Sequence, residues 1–233
     1  MGANAMTADF TTLDLLALVW FVLLWVGYDR LVDMPIWKRT SLNRAMRERR
    51  VAWMRQMAAR ENRMPDVVLL GHLMQSVSFF ASASMIVVAA LLGALGALDQ
   101  IREAVGDLHF APASKSAWQV KLFILIAMFV YSFFKFTWSL RQWNYCCVLV
   151  GGAPQAPMPE AAAAKVAFNA GLVATGAAVN FNHGLRAYYF ALGMLAWFIH
   201  PWAFMAATLL VVGVLVRRQY RSESAQAIVA APL

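Results

Sequence analysis

Residues 13–28 read LDLLALVWFVLLWVGY, sixteen positions whose only charged side chain is Asp14. With its flanks this run is long enough to cross a bilayer core as a helix, which takes about 20 apolar residues. No Lys or Arg stands in residues 1–12, so the positively charged region of a secretory signal peptide is absent. An uncharged-to-acidic stretch in front and arginines behind orient the span. Its N-terminus is expected outside, and residues 30–64 in the cytoplasm.

That reading sets the class of the whole chain. Of 233 residues, 61% are hydrophobic and 14% charged, too little charge to clothe a soluble domain. The apolar content excludes disorder. The only cysteines, Cys146 and Cys147, are adjacent, which excludes a disulfide scaffold. The net charge of +8 is concentrated: ten of the twenty Lys and Arg lie between Arg30 and Arg63, among Asp29, Asp33, Glu48, Glu61 and Asp66. A basic segment between two apolar spans is a topology determinant rather than a nucleic-acid site, so no nucleic-acid partner is expected.

The basic segment has a helical period. Leu42, Met46, Trp53, Met57 and Met64 recur at spacings of four and seven with arginines beside them, predicting an amphipathic helix over 41–64 that Pro65 stops. Two readings stand. The helix lies in the interface, with Trp and Met in the lipid boundary and arginines on anionic lipid headgroups. Or it is a solvated helix capping the bundle.

Further spans are expected over 67–98, 118–150 and 187–216, with 161–180 as a fifth. The 67–98 and 118–150 segments exceed the hydrocarbon core and so tilt or protrude. Residues 99–117 read as a weakly acidic external loop, and GGAPQAPMP at 151–159 is the clearest linker. If 161–183 stayed in the cytoplasm, Arg217, Arg218 and Arg221 would follow the last span outside, against the positive-inside rule. Five spans return the C-terminus to the cytoplasm and are favoured. The Ala- and Gly-rich 161–179 run then suits a helix surrounded by protein. A third arrangement breaks the last segment at His200-Pro201 into a re-entrant hairpin. The expected fold is an all-α integral membrane protein, one membrane domain of four to five transmembrane helices plus the basic cytoplasmic helix. No internal repeat of the transporter kind is visible.

On a helix over 118–150, Ser132, Lys135, Ser139, Gln142 and Cys146 share one face. On the 67–98 span, Gln75, Ser78, Ser82 and Met85 form a comparable stripe. Lys135 lies 17 residues beyond Trp118, and a cation at depth faces a partner, a cavity or a pore. Two stripes lining one hydrated path, with Lys135 favouring anions, give the leading function: an oligomeric channel or small-solute permeation protein. The bland alternatives are a snorkelling Lys135, or one neutralised by Asp14, Asp29 or Asp33. The serines would then only bond their own backbone or allow close packing. An accessory or assembly subunit without transport is the second function, and a lipid-modifying enzyme the third.

Other chemistry is thin. His72, His109, His183 and His200 show no zinc-ligand spacing, and haem ligation by His72 with His200 has no supporting pattern. Met54, Met57, Met64 and Met74 read as packing residues rather than a copper site. The two cysteines read as packing residues at a helix end. No carboxylate stands mid-span, so no catalytic group, metal or cofactor is expected. Asp29, Arg30, Arg186, Tyr188 and Tyr189 either bind a lipid phosphate or tie helices by a salt bridge.

Three stretches are distinctive: FNHGLRAYYFAL at 181–192, AWFIHPW at 196–202 and WSLRQWNY at 138–145. Together they resemble the bacterial and plant membrane-protein family catalogued as domain of unknown function five-nine-nine. The similarity runs over nearly the whole chain, from the first span to Arg221. It implies a polytopic membrane protein and no activity. The family pattern more often reads Asn-Arg-Gly-Leu-Arg where this chain has Asn182-His183-Gly184-Leu185-Arg186, so a cationic role at His183 does not transfer. Within that frame Arg141, Arg186, Arg30 and Asn144 are headgroup or phosphate candidates at helix ends. Gly184 marks a break or a close packing, and Pro201 a kink. A bacterial cytoplasmic (inner) membrane is the expected location. Poorly buried polar stripes imply a homo-oligomer or a membrane-complex partner.

Overall fold

A computed structural model describes residues 11–33, 42–105 and 114–230. Residues 1–10, residue 41 of the expected basic helix, His109 with loop residues 106–113, and the Asp33 side chain lie outside what it describes. The described residues form helices α1 (Thr12–Asp33), α2 (Leu42–Ala59), α3 (Met64–Gly96), α4 (Leu98–Val105), α5 (Lys115–Gly151) and α6 (Glu160–Met194). A 3₁₀ turn (Leu195–Phe198), α7 (Pro201–Tyr220) and α8 (Glu223–Ala230) complete them, with no strand. Among the described residues, five helical segments are long and apolar enough to cross a membrane: Thr12–Arg30, Met64–Gly96, Lys115–Gly151, Glu160–Phe198 and Pro201–Ala230. The protein is an all-α integral membrane protein.

Helix α1 starts on a reciprocal cap. The Asp14 N–H donates to Thr11 Oγ1 (3.1 Å), and the Thr11 N–H donates back to Asp14 Oδ2 (3.3 Å), satisfying donors that the first turn leaves open. Its 22 residues measure about 33 Å, close to a hydrocarbon core of about 30 Å. Helices α3, α5 and α6 have 33, 37 and 35 residues, about 50–55 Å each at 1.5 Å per residue. Each therefore tilts steeply or carries residues beyond the lipid core.

The chain divides into two compact units. The first comprises Met1–Met34, Ser84–Ser132 and Arg186–Val216. Its core is aromatic. Phe21 meets Phe190 edge-on at 5.8 Å and Phe204 at 5.2 Å, while Trp197 stacks on Phe204 at 4.9 Å. Such ring pairs add to the burial of large apolar area.

The second unit comprises Pro35–Ala83, Phe133–Leu185 and Arg217–Leu233, and small residues dominate it. Ala167, Ala170, Ala174 and Ala177 repeat at helical spacing on α6 and are buried. A Cβ on Gly171 would stand 2.9 Å from the Val51 Cα, so α2 crosses here in backbone contact. Missing side chains permit this approach, as the Ala- and Gly-rich composition leads one to expect. Met54, Met57 and Ala58 of α2 are buried in protein. That packing favours the helix that caps the bundle over one with those methionines in lipid. Arg63 fastens the 151–159 linker by donating to the carbonyls of Ala153 (2.7 Å) and Pro154.

Helix α6 departs from the expected segmentation. It runs unbroken through Gly184 to Met194, and the interruption comes at the 3₁₀ turn and Ile199-His200. Pro201 then occupies the first position of α7, where its missing N–H has no partner to lose. With 35 and 20 residues on either side, each is long enough for a full span, unlike the half-helices of a re-entrant hairpin. Gly184 is a close packing and not a break, because an added Cβ would lie 2.5 Å from the Phe136 ring. That ring is buried against Phe80 (5.6 Å) and Phe181 (5.6 Å) and has no room to swing. Overpacking costs about 1–3 kcal/mol and the better helix propensity of Ala returns about 1; with a ring that cannot swing the cost lies toward the upper end, so Gly184→Ala is expected to lose about 1–2 kcal/mol. Thermal unfolding in detergent reads it, and Phe136→Leu in the same chain should recover the loss. A Gly184→Ala protein as stable as the parent would refute the tight contact.

Candidate functional site

Among the described residues, two ion pairs of the first unit are anchored on α1. Asp14, in its first turn, accepts from Trp197 Nε1 (2.7 Å) at Oδ1 and from Thr11 Oγ1 (2.6 Å) at Oδ2. Lys121 of α5 lies 3.3 Å from Oδ1, donates to the Trp197 carbonyl (3.1 Å) and stands 5.1 Å from the indole centroid. Lys121 and Asp14 are 3% and 6% exposed, which makes this a buried charge pair closed by the 3₁₀ turn. Near the other end of α1, Asp29 accepts from Arg186 of α6 at 2.6 Å, with the guanidinium 5.9 Å from the Tyr28 ring. Fifteen residues, about 22 Å of helix, separate the two aspartates.

These pairings revise the sequence expectations. Asp14 neutralises Lys121, not Lys135, because the second turn of α5 meets the first turn of α1. Trp197 completes this cluster, and sequence reasoning missed it. The available signal was Thr11-x-x-Asp14 ahead of an apolar run, a capping-box spacing. Arg186, a headgroup candidate, is committed to Asp29, which is the helix-tying alternative. Tyr188 instead meets Ser84, hydroxyl to hydroxyl at 3.0 Å.

The α5 stripe divides. Ser132 Oγ donates to the Met128 carbonyl one turn back (3.1 Å), the backbone bond a membrane serine commonly makes. In the second unit, Ser139 Oγ donates to the Ala177 carbonyl (2.7 Å), Gln142 Oε1 accepts from Asn180 Nδ2 (2.8 Å), and Cys146 Sγ points to the Ala170 carbonyl (3.8 Å). Those three side chains form an α5–α6 seam. Lys135 is half-buried. Gln75, Ser78 and Ser82 lie exposed on α3 and form no side-chain hydrogen bond among the described residues, and none joins the seam. Arg141 is exposed and bonds Tyr145 Oη (2.6 Å) on its own helix, while Arg30 and Asn144 are exposed.

A second cluster that sequence reasoning missed gathers on Asp66, fully buried at the start of α3. One oxygen, Oδ1, accepts from both Trp53 Nε1 (2.7 Å) and Arg60 (2.6 Å). Nothing in the residue spacing marks Asp66 as the anchor, because the pairing follows from the turn between α2 and α3. Among the described residues no group of three His, Cys, Asp or Glu side chains is placed to hold a metal ion.

A family model described as Protein of unknown function, DUF599, matches residues 16–224. No curated protein and no solved structure matches the chain.

Proposed function

We propose, from the premise that the chain belongs to the DUF599 family of proteins of unknown function, that it is an oligomeric membrane permeation protein whose path forms between protomers along Gln75, Ser78 and Ser82. The exposure of that stripe carries the reading. Gln75 lies eleven residues into α3, about 16 Å along the axis. A carboxamide turned to lipid at such depth leaves donors and acceptor unmet, at a cost of several kcal/mol. Water held between protomers removes that cost. The buried neighbours Val77 and Ala81 occupy the other face of the same helix, so the stripe is directed away from its own bundle.

Lys135 supplies the anion preference. It follows Lys121 by fourteen residues of one continuous helix, about 21 Å. An ammonium there concentrates anions at the mouth of a path. The orientation is that of a bacterial inner-membrane protein with the N-terminus outside and α2 in the cytoplasm. Packing of α8 on α2, with Arg49 donating to the Ile228 carbonyl (3.2 Å), supports a C-terminus on the same side as the arginines.

The second reading is an accessory subunit, since the stripe can equally receive a polar helix of another protein. Native mass spectrometry of the gently extracted protein, followed by anion flux in proteoliposomes, separates the two. A homo-oligomer is expected, with flux reduced severalfold in Lys135→Ala and in Gln75→Leu while the oligomer persists. A monomer, or an oligomer without flux, would sink the permeation reading. A stoichiometric foreign chain would establish the accessory one.

A further inference from the structure

A shallow groove of about 330 Å³ lies in the second unit, walled by Trp53 of α2 and by Leu69, His72, Leu73 and Ser76 of α3. Its size falls within the range of ligand pockets, roughly 300–1,000 Å³. The walls are almost wholly apolar, and Leu69 and Leu73 are exposed along it, the chemistry of a hydrocarbon chain. A charged cluster adjoins the groove through Trp53. Arg60 and the Trp53 indole donate to the same oxygen of buried Asp66, so the guanidinium stands beside the indole edge. Arg60 remains 45% exposed while its Nη1 donates to Asp66. His72 adds an exposed imidazole on the wall. Around them, Leu42–Met64 carries seven arginines against two glutamates.

We propose that this groove holds one acyl chain of an anionic phospholipid, with the phosphate at Arg60. The assignment does not depend on the permeation path, which uses a different face of α3. Three features support one another. The groove opens where a basic helix meets the start of a span, the level at which headgroups lie. A Trp beside the groove, its N–H bound and its ring toward hydrocarbon, is the usual interfacial placement of that side chain. An Arg planar fork matches a phosphate diester better than a point charge does. Asp66 orients that fork, so binding requires little further ordering.

The test uses vesicles of phosphatidylcholine containing a minority of phosphatidylglycerol, with one or the other lipid brominated. Fluorescence of the parent protein minus that of Trp53→Phe isolates Trp53 from the other tryptophans. Quenching of this difference should favour brominated phosphatidylglycerol by about fivefold, the worth of one arginine near an anionic surface. Arg60→Gln should abolish the preference. Equal quenching by both lipids would overturn the assignment, and so would quenching by neither, which means that a second copy or another protein fills the groove. A second measurement covers an Arg60→Gln protein that does not fold. Leu73→Trp fills the groove without touching the Arg60–Asp66 pair, and native mass spectrometry should then count one phosphatidylglycerol fewer per protomer. An unchanged count overturns the proposal.

Discussion

Lys121→Met is expected to lower the unfolding free energy by about 3–5 kcal/mol, the cost of leaving one member of a buried ion pair without its partner. Asp14 would keep its bonds from Trp197 and Thr11 but lose the ammonium beside it. Asp14→Leu fails by the mirror argument, because the ammonium would retain the Trp197 carbonyl and ring but no counter-charge from Asp14. The double change Asp14→Leu with Lys121→Met should recover most of the loss, since apolar replacements of similar volume remove both charges and their desolvation cost together. Thermal and denaturant unfolding in detergent read the full cycle. Additive single effects would show that the two charges do not interact.

Arg186→Gln is expected to cost about 1.5–3 kcal/mol, the range for a hydrogen bond to a charged group. Asp29→Asn should cost a similar amount, and the double variant no more than either single one, because both remove one contact of 2.6 Å. Lysine is a poor substitute, since the planar guanidinium also lies toward the Tyr28 ring. The cycle also separates the two uses of Arg186. If its role were to hold a lipid phosphate, Asp29→Asn would leave stability unchanged and strengthen lipid retention. Coupled losses of stability identify a helix tie.

The candidate site was legible in unequal parts. The shared face of Ser139, Gln142 and Cys146 was readable from helical spacing, because i, i+3 and i+4 neighbours align on any straight helix. Spacing cannot tell which neighbour that face meets, and here it meets α6 through Ala177, Asn180 and Ala170. Lys135 drew attention by its distance from the helix end. Lys121, closer to the end and less conspicuous, is the buried one. Depth along a helix and burial are different quantities, since burial depends on what another helix places alongside. The same holds for Asp66, ordinary in sequence and buried because Trp53 and Arg60 converge on it across a turn.

Composition, hydrophobic runs and the clustering of arginines determined by themselves that this is an all-α membrane protein with a basic helix after its first span. These are properties of transfer from water to lipid, which sum over residues regardless of their neighbours. Tertiary structure alone decided that α6 passes through Gly184 and which aspartate meets which cation, whereas the interruption at Pro201 was legible in the sequence. The first two outcomes turn on contacts between residues distant in sequence. A glycine packs closely or ends a helix according to whether a ring such as Phe136 lies against it, and a buried charge is tolerated according to whether its partner arrives.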